Sequence, residues 1–343
     1  MDDARWLGGF QRREDARDVP LETNGSSRYS RSSYNASLTV RHAVEADTRH
    51  TAPPFVHDPH ATMHPMQAFP GPEHQPFETG DGPATAVVVH GFPGTPAEVR
   101  PIAAALAAIG WRVHAPLLPG FGPDWATLGE RRWTEWRATV AREAERAAAS
   151  DDPVLLVGFS MGAALALAAI ADEGAPADSL VLLAPFTSLP DRRAFAIPLV
   201  KRVVKTFRPY ERVDFDDPAV RAEIEDKVGD VDLDDPTVRE RLRRDVTIPT
   251  AAVDEVRKAG LRALRVAPSI TARPTLVVQG QSDTTVLPSS TIELIRRLPG
   301  HPLRLFLADA DHRMVLPGRP GHMELLRAVQ RFGHERLGRL MPG

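Results

Sequence analysis

The sequence predicts an α/β fold with a mostly parallel central sheet flanked by helices, and three observations carry that reading. From about residue 74 onward, short runs of branched apolar residues alternate with helix-length segments. Within the runs the apolar residues are consecutive rather than alternate, as expected of strands covered on both faces. The strongest run, VLLVGF (154–159), leads directly into a serine held between glycines and then into the small-residue stretch MGAALALAAI.

In chain order, the expected strands are ATAVVVH (84–90), WRVHAPL (111–117), PVLLVG (153–158), SLVLLA (179–184), PTLVVQG (274–280) and PLRLFLA (302–308). The helices between them include 96–110, 134–149 and 322–340. Residues 187 to about 270 break the alternation: helical pieces (AFAIPLVKRVVKTF, VRERLRRDV, AAVDEVRKAGLRAL) are separated by the acidic turns FDDPAV and LDDPTV. A helical insertion between two sheet strands is expected to cap the strand ends. In both turns Asp-Asp-Pro precedes a helical stretch, where Asp caps the first turn and Pro fits the first helical position, so capping is preferred to calcium binding. No internal repeat is read from the chain.

Residues 1–73 mix Ser, Asn, Arg, Asp, His and Pro without periodicity and are expected to form a disordered extension, because they cannot bury enough apolar surface to offset their ordering entropy. Residues 74–343 are then the folded domain. Six of the 12 histidines lie within the first 74 residues, but without ligand spacing, so no metal is expected.

Composition narrows the function by exclusion. The 343 residues are 42% hydrophobic and 25% charged, with a formal net charge of -3, which suggests neither nucleic acid nor an acidic surface as partner. With no cysteine, disulfides and thiolate chemistry are excluded. The first residues lack the apolar stretch of a secretory signal, and no apolar run approaches the roughly 20 residues of a membrane span. The expectation is a cytoplasmic protein without integral membrane association; the oligomeric state is not legible.

Gly158-Phe159-Ser160-Met161-Gly162, with a strand before and a helix after, has the context of a nucleophile elbow. The turn is so sharp that side chains two positions either side of the serine would collide with their surroundings. A serine hydroxyl needs a base to take its proton, and the base needs an acid to hold its tautomer. Acid and base are expected later in the chain, each in a loop after a strand. Asp283, after PTLVVQGQS, fits the acid, and His312, after PLRLFLADAD, fits the base; Asp309 and Asp311 compete for the acid role, and His301 and His322 for the base. The backbone N–H groups of Met161 and of Phe92, in the turn VVVHGFPGTP (87–96), are the expected oxyanion donors. His90, at the end of the first strong strand, is expected to brace that turn.

These residues resemble the α/β-hydrolase superfamily, and within it the microbial carboxylesterases and monoacylglycerol-lipase-like serine hydrolases. The resemblance is carried by HGFPGTPAEVRPIAAALAAIGWRVHAPLLPGFG (90–122), GFSMGAALALA (158–168), QGQSDTTV (279–286) and DADH (309–312). It implies the α/β-hydrolase fold with a helical cap inserted between late strands. It also implies Ser160 as nucleophile, Asp283 as acid, His312 as base, Phe92 and Met161 as oxyanion donors, and no cofactor. In relatives the base usually follows glycine or serine; here it follows Asp311. The implied substrate is a small carboxylic ester with an apolar acyl chain. Phe92, Phe121, Trp125 and Phe195 are candidate substrate contacts, while Ile197, Leu199 and Val200 either line an acyl pocket or pack the cap onto the sheet. Thioesterase, peptidase and acyltransferase chemistry use the same triad, and a non-catalytic receptor can share the fold, whereas dehalogenases and epoxide hydrolases would place Asp at position 160.

Overall fold

The computed structural model describes residue 69 and residues 71–340 except 150–151, 190–195, 219, 222–223 and 225–230. The extension expected over 1–73 therefore lies almost entirely outside the described residues. Phe69 is an exception: it is buried, with its ring centroid 5.0 Å from that of His74 and 5.4 Å from that of Trp125, so packing begins ahead of residue 74.

Among the described residues, a seven-stranded sheet runs in the order β1-β3-β2-β4-β5-β8-β9. Its strands are β1 (Phe77–Thr79), β2 (Ala84–Val89), β3 (Trp111–Ala115), β4 (Val154–Phe159), β5 (Ser179–Leu183), β8 (Thr275–Gly280) and β9 (Leu303–Leu307). All neighbouring pairs are parallel except β1 and β3. The continuous Val/Leu runs of β2, β4, β5 and β8 are buried along their whole length, as strands covered on both faces should be. β9 is also rich in leucine but carries Arg304 and forms the sheet edge, and Leu303 is exposed there. β1, three residues long, was too short to stand out in the sequence.

Helices cover both faces. α1 (Arg100–Ala107) and α8 (His322–Leu340) pack with the core that contains Val88, Leu155 and Val278, whereas α2 (Trp133–Ala147) and α3 (Met161–Glu173) pack with the one that contains Val87, Leu156 and Val277. α7 (Pro288–Arg297) also joins the second core through Leu294. Consecutive residues of one strand thus divide between two cores.

Between β5 and β8 the chain leaves the sheet. This segment holds α4 (Ile197–Val200), the paired strands β6 (Thr206–Phe207) and β7 (Ile248–Pro249), α5 (Pro236–Asp245) and α6 (Thr250–Val266). α6 reaches back to the sheet core through Ala252, Val256, Ala259 and Ala263. Ion pairs fasten it further: Asp172 on α3 receives both Arg137 of α2 and Arg262 of α6. Of the AFAIPLVKRVVKTF stretch (194–207), expected to be helical, the described residues form an α-helix only over Ile197–Val200, with turns after it and β6 at its end.

The structure also corrects the reading that the chain has no internal repeat. VDFDDP (213–218) and VDLDDP (231–236) lie eighteen residues apart and build reciprocal halves. The Nε of Arg221 donates to the Phe215 carbonyl and that of Arg239 to the Leu233 carbonyl, while each guanidinium also reaches across the repeat, Arg221 to Asp234 and Arg239 to Asp216. Phe215, Ile224, Leu233 and Leu242, at matching positions of the two halves, form a small core with Tyr210. VDFDDPAVR (213–221) and VDLDDPTVR (231–239) agree at seven of nine positions, so the repeat is present in the sequence, and the structure shows what it builds. Asp235 caps α5 by accepting the Thr237 N–H at 2.7 Å.

The crossing of β4 and α3 leaves no room for side chains. A Cβ at Gly162 would lie 2.3 Å from the Val89 carbonyl oxygen, and one at Gly158 would lie 2.4 Å from the Ala163 nitrogen. Both obstacles are backbone. Gly162→Ala is therefore expected to lower unfolding free energy by about 2–3 kcal/mol in urea denaturation, by forcing strand and helix apart; unchanged stability would show that the crossing relaxes freely.

Candidate active site

Ser160, Asp283 and His312 come from three loops at the carboxyl ends of β4, β8 and β9, and the parallel sheet brings those ends to one edge. Ser160 has φ 53° and ψ −115°, a left-handed backbone for a non-glycine residue. Its amide donates to the Leu183 carbonyl at 2.8 Å, and its own carbonyl accepts the amides of Ala163 and Phe186 at 3.1 Å each. The strained residue is thus tied to β5, to the helix it opens and to the segment that enters the cap.

The side chains form one hydrogen-bonded line. His312 Nε2 lies 3.1 Å from Ser160 Oγ and Nδ1 lies 2.8 Å from Asp283 Oδ2. Since Asp283 can only accept when ionised, Nδ1 carries the hydrogen and Nε2 is free to accept the serine hydroxyl. The Phe159 ring lies 5.1 Å from the imidazole.

Asp283 is buried, and both oxygens are fully engaged. Oδ1 accepts the Thr285 and Val286 amides at 2.8 Å, and Oδ2 accepts His312 together with the Gln279 side-chain amide at 3.1 Å. Burial alone would raise its pKa, but the His312 hydrogen bond and charge, with the two backbone amides, outweigh burial and hold the carboxyl below its ordinary value. Gln279 is held in turn by Thr291, whose hydroxyl donates to its carbonyl at 2.6 Å. Sequence reading missed this pair, although a glutamine inside the apolar run PTLVVQG is a usable signal of a buried polar group.

The rival residues are occupied elsewhere or stand apart. Asp311 accepts the Arg313 amide and pairs with Arg319, so its carboxylate is already engaged although it adjoins His312. Asp309 and His301 are exposed, and His322 bonds the Met314 carbonyl at the start of α8.

Met161 is the first residue of α3, directly after Ser160, and its N–H is among those a helix N-terminus leaves free of intrahelical bonds. The turn that carries Phe92 runs alongside: a Cβ at Gly91 would lie 3.1 Å from the Ser160 Cβ. The Gly91 amide is fixed by Glu98 Oε1 at 2.5 Å, a contact no sequence signal announces. His90 is fully buried below the turn. The Leu118 N–H donates to its Nε2 at 3.2 Å, so Nδ1 carries the hydrogen and donates to the Gly91 carbonyl at 2.9 Å. Desolvation lowers its pKa to about 4, the Gly91 bond opposing only in part.

The substrate-contact candidates separate. Phe92 is partly exposed and meets Phe121 edge-on at 6.0 Å. Phe121 is wholly buried among His90, Phe92 and Trp136, so it supports the turn from below. Trp125 is partly buried and donates from Nε1 to the Thr247 carbonyl, joining the body to the segment between β5 and β8. Phe195 lies outside the described residues. Leu199 and Val200, expected to line a pocket or pack the cap, face solvent.

The sheet order, the elbow and the serine–histidine–aspartate line all belong to one fold, and comparison of the sequence decides the family. The serine aminopeptidase S33 family profile matches residues 81–314. The chain belongs to this family of α/β-hydrolases. Among curated proteins, the S33 hydrolase resembles a thermostable monoacylglycerol lipase of Bacillus sp. (strain H-257), 33% identical over 93 residues; the match spans 27% of this chain and 37% of that relative's length. Among solved structures it is similar to a metagenome-derived lipolytic enzyme of the LipS and LipT pair (TM-score 0.63, 18% identity, 77% of this chain and 98% of that one). It is also similar to a Paleococcus ferrophilus monoacylglycerol lipase (TM-score 0.58, 18% identity, 76% and 98%) and to a soluble variant of the Saccharomyces cerevisiae monoglyceride lipase (TM-score 0.58, 14% identity, 78% and 92%). At these identities the structural matches speak for the fold.

The depressed pKa of His90 links the S33 hydrolase's stability to pH. An unfolded histidine takes up a proton near pH 6.5, whereas the folded one does so only near pH 4. Its contribution is complete above pH 6.5 and is lost as pH falls toward 4, a change on the order of 3 kcal/mol. His90→Gln is expected to flatten the stability profile between pH 4 and 6.5, read by urea denaturation at stepped pH; an equally steep profile in the variant would assign the slope to other groups.

Proposed function

We propose that this S33 hydrolase cleaves carboxylic esters with an apolar acyl chain, monoacylglycerols among them, through an acyl-enzyme on Ser160. The observation that carries the reading is the line Ser160 Oγ–His312 Nε2–Nδ1–Asp283, with links of 3.1 and 2.8 Å. The lipase names of its relatives support the ester as substrate class, and the partly exposed Phe92, which follows Gly91 in the turn that approaches Ser160, supports an apolar acyl chain.

Ser160 Oγ attacks the acyl carbonyl carbon while His312 Nε2 takes the hydroxyl proton. The oxyanion that forms is met by the amides of Met161 and Phe92, and the start of α3 adds its dipole. Collapse of the tetrahedral intermediate expels the alcohol, which takes the proton back from Nε2. Water then gives its proton to the same nitrogen, attacks the acyl-enzyme and releases the acid and Ser160. Asp283 stays ionised throughout and stabilises the transient imidazolium. Its four donors keep the carboxylate in place, so the imidazole is presented in one orientation.

The test is hydrolysis of p-nitrophenyl esters from acetate to palmitate by the wild type and Ser160→Ala, with an aminoacyl p-nitroanilide as the peptidase arm. Ester turnover is expected in the wild type only, with a loss on the order of 10³-fold or more in the folded variant. Turnover of the anilide alone, or equal ester turnover by both proteins, would overturn the proposal. Gln279→Leu removes one donor to Asp283 Oδ2 and is expected to lower kcat about tenfold with KM little changed; an unchanged kcat would leave Gln279 a purely structural role.

A further inference from the structure

The segment from α4 to β6 is an amphipathic element turned inside out. Nine large apolar side chains are exposed among the described residues, and five of them fall here: Leu199, Val200, Val203, Val204 and Phe207. After α4 the backbone continues in helical turns, with Val204 N–H donating to the Val200 carbonyl at 2.8 Å. Spacings of four along this path put Leu199 with Val203 and Val200 with Val204 on neighbouring rows of one face. A surface helix ordinarily buries that face. Here Leu199 is 65% and Val203 83% exposed, while the inward position belongs to Lys201, whose ammonium lies 2.5 Å from the buried carboxylate of Asp254. The ion pair fixes the orientation: turning the apolar face inward would leave Asp254 without this partner and expose the lysine stem.

Cations interleave with the apolar residues. Arg202, Lys205 and Arg208 are exposed and make no ion pair among the described residues, and the sequence has no acidic residue between Asp191 and Glu211. We infer that this segment is a docking surface for a lipid layer with anionic headgroups. Apolar side chains inserted at the acyl boundary beside unpaired cations at headgroup level supply the two signals that stable peripheral attachment requires. A second copy of the chain fits less well, since joining two such faces would bring Arg202, Lys205 and Arg208 of each against the other without a compensating carboxylate. The surface also lies close in sequence to the site: Ile197 is eleven residues past Phe186, whose amide donates to the Ser160 carbonyl.

The experiment is sedimentation of the full chain with vesicles of phosphatidylcholine, with and without phosphatidylglycerol. Binding is expected to the mixed vesicles, at least about tenfold weaker to the neutral ones, and to fall as salt is raised. The pairs Leu199→Asp with Val203→Asp and Arg202→Glu with Lys205→Glu are each expected to reduce binding at least about tenfold. Both change exposed positions, and an unchanged melting temperature serves as the fold control. Ser160→Ala is expected to bind like the wild type, so failure of the ester reading and failure of docking are told apart. No binding to the mixed vesicles overturns the inference, as does binding that survives both double substitutions. Concentration-dependent dimerisation abolished by the Asp pair, without vesicle binding, overturns it in favour of a second copy.

Discussion

The close crossing of β4 and α3 is the constraint on which the rest depends. The turn at Ser160 can be made only if nothing larger than hydrogen stands at Gly158 and Gly162, because the nearest atoms there are the backbone of β2 and of α3 itself. Closing the turn forces Ser160 into a left-handed backbone conformation, which neighbouring elements hold through hydrogen bonds to its amide and carbonyl. A conformation that costs on the order of 1–3 kcal/mol persists only when its surroundings over-determine it. It directs the hydroxyl toward the carboxyl ends of β8 and β9, where an imidazole awaits it.

Polar groups around this turn are buried, and each is paid for by partners. The Asp283 carboxylate has four donors, and the neutral His90 uses both ring nitrogens. A buried polar group left unpaired would cost more than its net bond is worth, so these networks fix positions more than they add stability. The turn carrying Phe92 is held in the same manner, by His90 beneath and Glu98 at Gly91.

The segment between β5 and β8 follows a different logic. α6 joins the sheet core through small residues and ion pairs, whereas the two VD-x-DDP halves close on a small core of their own. Their reciprocal arginine–aspartate pairs are exposed and therefore contribute little individually; matched apolar residues hold the halves together. Between these two regions, the Lys201–Asp254 pair turns charge inward and apolar surface outward.

The sequence by itself determined six of the seven strands of the main sheet, the glycine-flanked turn at Ser160, and the order in which Ser160, Asp283 and His312 follow one another along the chain. Those features are local: a buried parallel strand is a continuous apolar run, and a sharp strand-to-helix turn demands glycines at fixed offsets. Only the tertiary structure decided which groups meet. It engaged Asp311 with Arg313 and Arg319 while Asp283 faced His312, placed Gln279 and Thr291 behind that acid, and buried Phe121 under the turn. It also showed what the eighteen-residue repeat builds, since the crossing of Arg221 and Arg239 depends on how the two halves face each other. The apolar and basic segment at 197–207 reads the same whichever way it faces. Its orientation is set by a buried carboxylate fifty-three residues away from Lys201, and no local pattern encodes that distance.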